Sequence, residues 1–469
     1  MTLTRREALT TCFSSLALAH LLANDAYADA PKPRPEFNGG LHHKAKVKRV
    51  VQLFMNGGAS QVDTFDYKPE LIKRHGQQID FGLKASATGV PGPVMKSPFA
   101  WKQHGQSGRW VTDVFPYTAK HVDDLAFLMA MTSKTNVHGP GSYMMNTGFI
   151  LPGFPCAGAW IGYALGRLTD NLPSFVVLPD PRGLPYNGTG NFGAGFLPAN
   201  FNGTVINPSV AVPIPDLAAA AAGKYVTPAA SAEGLDLLAR MNRDHAAARP
   251  DDTRLAARIE SYELAARMQT AAPEAFDLSK ESKETHELYG TNRDAHNGGF
   301  SRNCLLARRL LERNVRFVQV WSGLAGPAHN WDNHGNIPNE LPPAAKQVDQ
   351  PIAALLQDLK AKGMLDDTLV IWTSEFGRMP FTQNGVGRDH NGGTFVTWLA
   401  GAGVKGGLAH GESDEFGYQA AKDKTPCYDL HATILHLMGI DHEKLTVRHN
   451  GIDRRLTDVH GHVIDAILS

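Results

Sequence analysis

Apolar and polar positions alternate along the chain in two rhythms. VKRVVQLFMN (47–56), LAFLMAMT (125–132), SFVVLP (174–179), VRFVQVW (315–321), TLVIWTSE (368–375) and FVTWLAG (395–401) are short, nearly continuous apolar runs. Runs of this kind predict strands buried on both faces. Between them the period lengthens. Val348, Ile352, Leu355, Leu356 and Leu359 form one apolar stripe at helical spacing, and Leu306, Leu310 and Leu311 begin another. Strands and helices in alternation predict an α/β sandwich, a largely parallel central sheet with helices on both faces. In such sheets functional groups gather just past the strand ends, here Asn56, 132–138, 321–334 and 375–390.

Two stretches stand outside this rhythm. Residues 182–215 are rich in Gly, Pro and Asn and predict a long ordered loop over the site. Residues 230–290 carry Ala, Leu, Arg and Glu at helical spacing and predict a helical insert. No low-complexity linker divides the chain, so 31–469 is expected to form a single domain. At the front, Arg5 and Arg6 precede an apolar run from Ala8 to Ala23, then AYA and ADA. The run is too short to span a bilayer, and the order is that of a twin-arginine signal over 1–30, with a frayed amphipathic helix as the alternative. The expected partner is then the twin-arginine export machinery, and the destination is periplasmic or extracellular. No integral membrane segment is expected.

Charge excludes some classes. Lys+Arg and Asp+Glu number 46 each, which gives no reason to expect a nucleic-acid partner. Beyond the signal only Cys156, Cys304 and Cys427 remain, at most one disulfide and a free thiol, with no C-x-x-C zinc spacing.

Three constellations carry candidate chemistry. In HNWDNHGN, after a strand, His329, Asp332 and His334 lie close together, and Asp332 and His334 share a face if extended, which suits Zn²⁺ or Mn²⁺. A polar loop with satisfied hydrogen bonds is the alternative. TSEFGRMPFTQNGVGRDHNGG combines Glu375, Arg378, Arg388, Asp389 and His390 in a Gly-rich loop, and arginine forks match phosphate or sulfate. A salt-bridged surface loop is the alternative. In NVHGPGSYMMNTG, His138 heads a predicted helix whose first turn suits an anion, nine residues before Thr147-Gly148. It either faces the site or caps the helix. GAGVKG (401–406) matches a dinucleotide loop but no helix follows, so NAD is not expected. Ser60 and Ser142 lie in no G-x-S-x-G elbow.

VVQLFMNGG, H-x8-TG, TSEFGR, GRDHN and DLHATILHLMGI resemble, in this order, the motifs of the alkaline phosphatase/sulfatase superfamily. Within it, NGGASQVDTFD and GRDHN are most similar to the exported family called domain of unknown function 1501. The resemblance covers nearly everything from Val47 onward and implies an alkaline-phosphatase-like α/β core with a divalent metal. It places His138 where the superfamily keeps its nucleophile, and Asn56 where a first-strand metal-binding Asp stands. Glu375-Phe376 replaces an acidic-His pair, so one imidazole is missing there. Asp332, His334 and His390 match the other metal position. Asp63 and Asp66 are further candidates to replace the acid lost at Asn56. HGPGS lacks the sulfatase Cys/Ser-x-Pro-x-Arg pattern, so no formylglycine is expected.

The implied function is a metal-dependent hydrolase of phosphate or sulfate esters, acting on a small-molecule or glycan ester. His138 would serve as nucleophile or acid/base, and Arg378 or Arg388 would hold the oxyanion. The alternative is a non-catalytic descendant that binds a sulfated or phosphorylated glycan, or a protein partner, in the same cleft.

Overall fold

The computed structural model describes residues 41–82, 91–207, 214, 227–250, 252–293, 298–383 and 385–469. The expected signal over 1–30 lies outside the described residues. Among them no helix is long and apolar enough to cross a membrane.

The strands of the central sheet and of the hairpin beside the site are β1 (Arg49–Met55), β2 (Leu125–Thr132), β3 (Phe175–Leu178), β4 (Thr204–Val205), β5 (Phe317–Ser322), β6 (Thr368–Thr373), β7 (Gly377–Gln383), β8 (Gly387–Asn391), β9 (Phe395–Gly401), β10 (Ala409–His410) and β11 (Thr425–Pro426); small hairpins stand apart from them. The helices are α1 (His138–Thr147), α2 (Ala157–Leu165), α3 (Pro228–Ala247), α4 (Thr253–Phe276), α5 (Lys283–Tyr289), α6 (Gly299–Glu312), α7 (Ile337–Ala361) and α8 (Cys427–Leu437). A nine-stranded sheet runs β10-β2-β9-β6-β1-β5-β3-β4, with β11 also paired to β2. β1 is parallel to β5 and β6, and β5 to β3; β9 alone is antiparallel to its neighbours β2 and β6.

Strand pleating sorts β1 between two cores. Val50 and Phe54 pack on one face with Trp160 of α2 and Leu435 of α8. Val51, Leu53 and Met55 pack on the other with the leucine stripes of α6 and α7. Every β1 residue is buried, which explains why its sequence is a run and not an alternation.

Two expectations are revised. The 182–215 stretch contains 3-10 turns at Gly188–Phe192 and Ala199–Phe201 and contributes β4 to the sheet edge. GRDHN is not a loop but strand β8, which pairs with β7 so that His390 lies opposite Arg378. The three cysteines are buried and unpaired.

Candidate metal centre

The carboxyl ends of β1, β2, β5 and β6 open on the same end of the sheet, and the side chains just past them converge. One ring nitrogen each of His138, His334 and His390 and one oxygen of Asp332 lie within 4.8 Å of one another. Asp332 Oδ1 is the hub. It stands 3.2 Å from His138 Nε2, 2.8 Å from His334 Nε2 and 2.9 Å from His390 Nε2. His334 Nε2 and His390 Nε2 are themselves 2.8 Å apart.

The outward ring nitrogens decide what these inward atoms carry. His138 Nδ1 is 2.7 Å from Glu375 Oε1, His390 Nδ1 is 2.7 Å from the Asn136 carbonyl, and His334 Nδ1 meets Gln383 Oε1. All three partners are acceptors, so each Nδ1 is the donor and each Nε2 faces inward, where it offers a lone pair once it carries no proton. Three ring nitrogens and a carboxylate this close need positive charge among them: protons shared with Asp332 when no metal is bound, or a metal ion that displaces those protons. Tetrahedral zinc with 2.0–2.1 Å bonds would hold its ligand atoms about 3.3 Å apart, so a small outward relaxation accommodates it. The donor set fits a divalent ion.

Charge and packing fix the ligands further. Burial opposes ionisation of Asp332, but hydrogen bonds from the three histidines and the Arg378 charge outweigh it and hold the carboxyl well below the usual range. Burial, with Arg378 second, pushes His390 down to about 4, so its ring is neutral at neutral pH. Burial also acts to lower His138, but its bonds to Asp332 and Glu375 prevail and leave it above its ordinary value. The His138 ring lies under Tyr186 at 4.4 Å and 5°, and against Phe376 at 5.0 Å. Tyr186 comes from the Gly-rich segment and is tied down by its hydroxyl, which donates to the Gly326 carbonyl. His138 is the first residue of α1, yet its side chain makes no capping bond.

Gly57 makes the convergence possible. At φ +121°, a Cβ there would lie 2.6 Å from the backbone nitrogens of Trp331 and Asp332. Only glycine lets the loop carrying Asp332 approach this closely.

Other expected site residues lie elsewhere. Glu375 is fully buried behind His138, where it also accepts from Gly57 N at 2.8 Å, so it orients a ligand and is not one of the four. Asn56 turns its amide to the carbonyls of Gly323 and Leu324. Asp63 and Asp66 are bound to Arg388 and Lys68. His329 is exposed and absent from the convergent group.

The oxyanion role expected of the two arginines is corrected. Arg378 is fully buried and donates to the carbonyls of Gly57, Gly58, Trp331 and Arg388 and to Asp332 Oδ1 at 2.6 Å. Arg388 is equally buried and spends its fork on Asp63 and on the Met379 and Met95 carbonyls. Neither guanidinium is left for a substrate. The sequence reading missed Tyr186 as a site residue; its only signal was an aromatic ring inside a Gly/Asn-rich loop.

Three histidines and an aspartate at the strand ends of a mostly parallel sheet define an α/β protein with a candidate mononuclear metal centre. The family model described as "Protein of unknown function (DUF1501)" matches residues 47–468, and the chain belongs to that family. No curated protein matches. Among solved structures, the chain is similar to the PsFucS1 sulfatase from Pseudoalteromonas sp., at 12% identity over 85% of this chain and 68% of that one, TM-score 0.36. It is similar to the lipoteichoic acid synthase LtaP from Listeria monocytogenes, at 10% identity over 90% and 78%, TM-score 0.35. It is also similar to alkaline phosphatase from the Antarctic bacterium TAB5, at 12% identity over 80% and 96%, TM-score 0.31.

Proposed function

We propose that this chain is an exported, metal-dependent hydrolase of phosphate or sulfate esters in which His138 is a metal ligand and not the nucleophile. The observation that carries the metal reading is the inward convergence of three Nε2 atoms on Asp332, each ring backed by an acceptor at Nδ1. The ester class rests on the superfamily motifs. Arg5-Arg6 and the apolar run behind them support export by the twin-arginine route.

A divalent ion held there supplies Lewis-acid polarisation of an ester oxygen and lowers the pKa of water. The protein does the rest. Glu375 holds a proton on His138 Nδ1, so that a bound ion would meet the Nε2 lone pair. Arg378 offsets the Asp332 charge, which leaves the loaded site net positive and suited to an ester anion. The first turn of α1 adds the positive end of a helix dipole. Of the four ligand side chains His334 is the most exposed, at 30%, so substrate approaches from that side.

The test is elemental analysis of the mature protein, purified without chelator, beside hydrolysis of aryl phosphate, aryl phosphodiester and aryl sulfate. About one Zn²⁺ or Mn²⁺ per chain is expected, with metal-dependent turnover, and His138→Ala should lose both metal and turnover. A His138→Ala protein that keeps its metal but loses turnover would restore the nucleophile role. A loaded protein inert to every ester would favour glycan or partner binding in the cleft.

A further inference from the structure

A second concavity, apart from the metal centre, has no role in the chemistry above. It has a volume of about 510 Å³ and is lined by Tyr67, Trp101, Trp110, Lys68, Lys96 and Val62, among others. That is a size typical of small-ligand sites. Trp101 and Trp110 belong to the hairpin formed by Trp101–His104 and Arg109–Thr112, in which Trp101 pairs with Thr112 and Gln103 with Trp110. The register makes the two indoles diagonal neighbours on one face. Tyr67 closes the corner. Its ring stacks on Trp110 at 4.2 Å and 25°, and meets Trp101 at 5.4 Å and 56°.

These rings are not core. Trp321, Trp331, Trp372 and Trp398 are fully buried, whereas Tyr67, Trp101 and Trp110 are only partly buried. Leaving large apolar faces in water around a concavity costs free energy that a ligand would recover. The two lysines differ. Lys68 is bound to Asp66 at 3.1 Å and its charge is balanced. Lys96 is exposed, and its ammonium makes no ion pair among the described residues.

We propose that this pocket binds a saccharide unit bearing an anionic substituent, with the ring against the Tyr67/Trp101/Trp110 corner and the anion on Lys96. The tilt between Tyr67 and Trp101 selects the ring type. Two aromatic planes meeting at 56° embrace a puckered saturated ring, whereas a flat heteroaromatic base calls for a parallel slot. Val62 adjoins Asp63, which holds Arg388 two residues before His390. The pocket stands independently of the hydrolase reading and needs no metal.

Calorimetric titration of the whole mature protein, stripped of metal, tests it with a chondroitin sulfate tetrasaccharide, an oligogalacturonate, neutral cellotetraose and a mononucleotide. Both acidic saccharides should bind, cellotetraose about ten-fold more weakly, and Trp110→Ala should cost about ten-fold. Lys96→Glu, an exposed change that cannot unfold the hairpin, should weaken only the acidic ligands. Failure of both acidic saccharides to bind, equal binding of the neutral one, preference for the mononucleotide, or indifference to Lys96→Glu would each overturn the proposal. None of these outcomes depends on whether an ester is hydrolysed.

Discussion

Glu375→Gln isolates the contribution of charge behind a metal ligand. Glu375 is wholly buried, and Oε1 accepts from His138 Nδ1 at 2.7 Å and Gly57 N at 2.8 Å, while Oε2 lies 3.1 Å from Ser374 Oγ. In the variant the amide oxygen replaces Oε1 and keeps both bonds. The amide NH2 then faces Ser374 Oγ, which has a lone pair to offer because its own proton goes to the Met55 carbonyl at 2.7 Å. Shape and both Oε1 bonds survive, and the negative charge is lost. With it goes the extra basicity of His138 Nε2, and partners of this kind are worth about 10- to 100-fold in metal affinity, or about 1.4–2.7 kcal/mol. The metal-free fold should change by no more than about 1 kcal/mol, because losing the carboxylate also removes its desolvation cost. Zn²⁺ affinity is measured by competition with a chromophoric chelator, and metal-free stability by urea unfolding. An affinity within about three-fold of wild type in a folded variant would refute the claim that Glu375 acts on the metal through His138.

Two further outcomes concern the scaffold. His431 is buried on α8, its Nε2 3.0 Å from the Met145 carbonyl, and burial pushes its pKa down to about 4. Unfolded it titrates near 6.5, so its effect on stability is absent above about pH 6.5 and grows as pH falls towards 4, to a loss of about 3 kcal/mol; His431→Gln should flatten that acid limb in urea midpoints, and an unchanged slope would disprove the assignment. Arg388→Met leaves Asp63 buried without its partner and should cost about 3–5 kcal/mol, while adding Asp63→Leu should recover about half or more. Strictly additive losses in that double-mutant cycle would show that the two side chains are not coupled.

Much of the scaffold was legible because burial on both faces writes a continuous apolar run, and six such runs became β1, β2, β3, β5, β6 and β9. Direction was not legible. FVTWLAG looks like its neighbours, yet β9 runs opposite to them, since pairing sense depends on the connections and not on the run itself. The two-residue strands β4, β10 and β11 are too short to carry a period. At the site, the residues Asp332, His334 and His390 could be read as donors by type and position past strand ends. The fate of the arginines could not. An arginine turns inward where backbone carbonyls converge on it, and that convergence comes from Gly57, Gly58, Trp331 and Met379, none of them polar side chains. Asn56 was read by position alone, whereas its amide is committed to a loop carbonyl pair.

The four ligand side chains come from positions 138, 332, 334 and 390, on the β2–α1 junction, the loop after β5 and strand β8. No short piece of this chain holds more than two of them, so an ion cannot act as a nucleus around which the polypeptide gathers. An ion bound there, as proposed, would be a latch, fitted only after the sheet has brought distant segments together. Once fitted, it withdraws the folded form from the unfolding equilibrium, by about 2.7 kcal/mol when the free ion is at a hundred times its dissociation constant. On the proposed metal reading, the compartment that folds this protein would also set which ion it carries, and the affinity order of competing metals would matter less than which of them is present when the latch first closes.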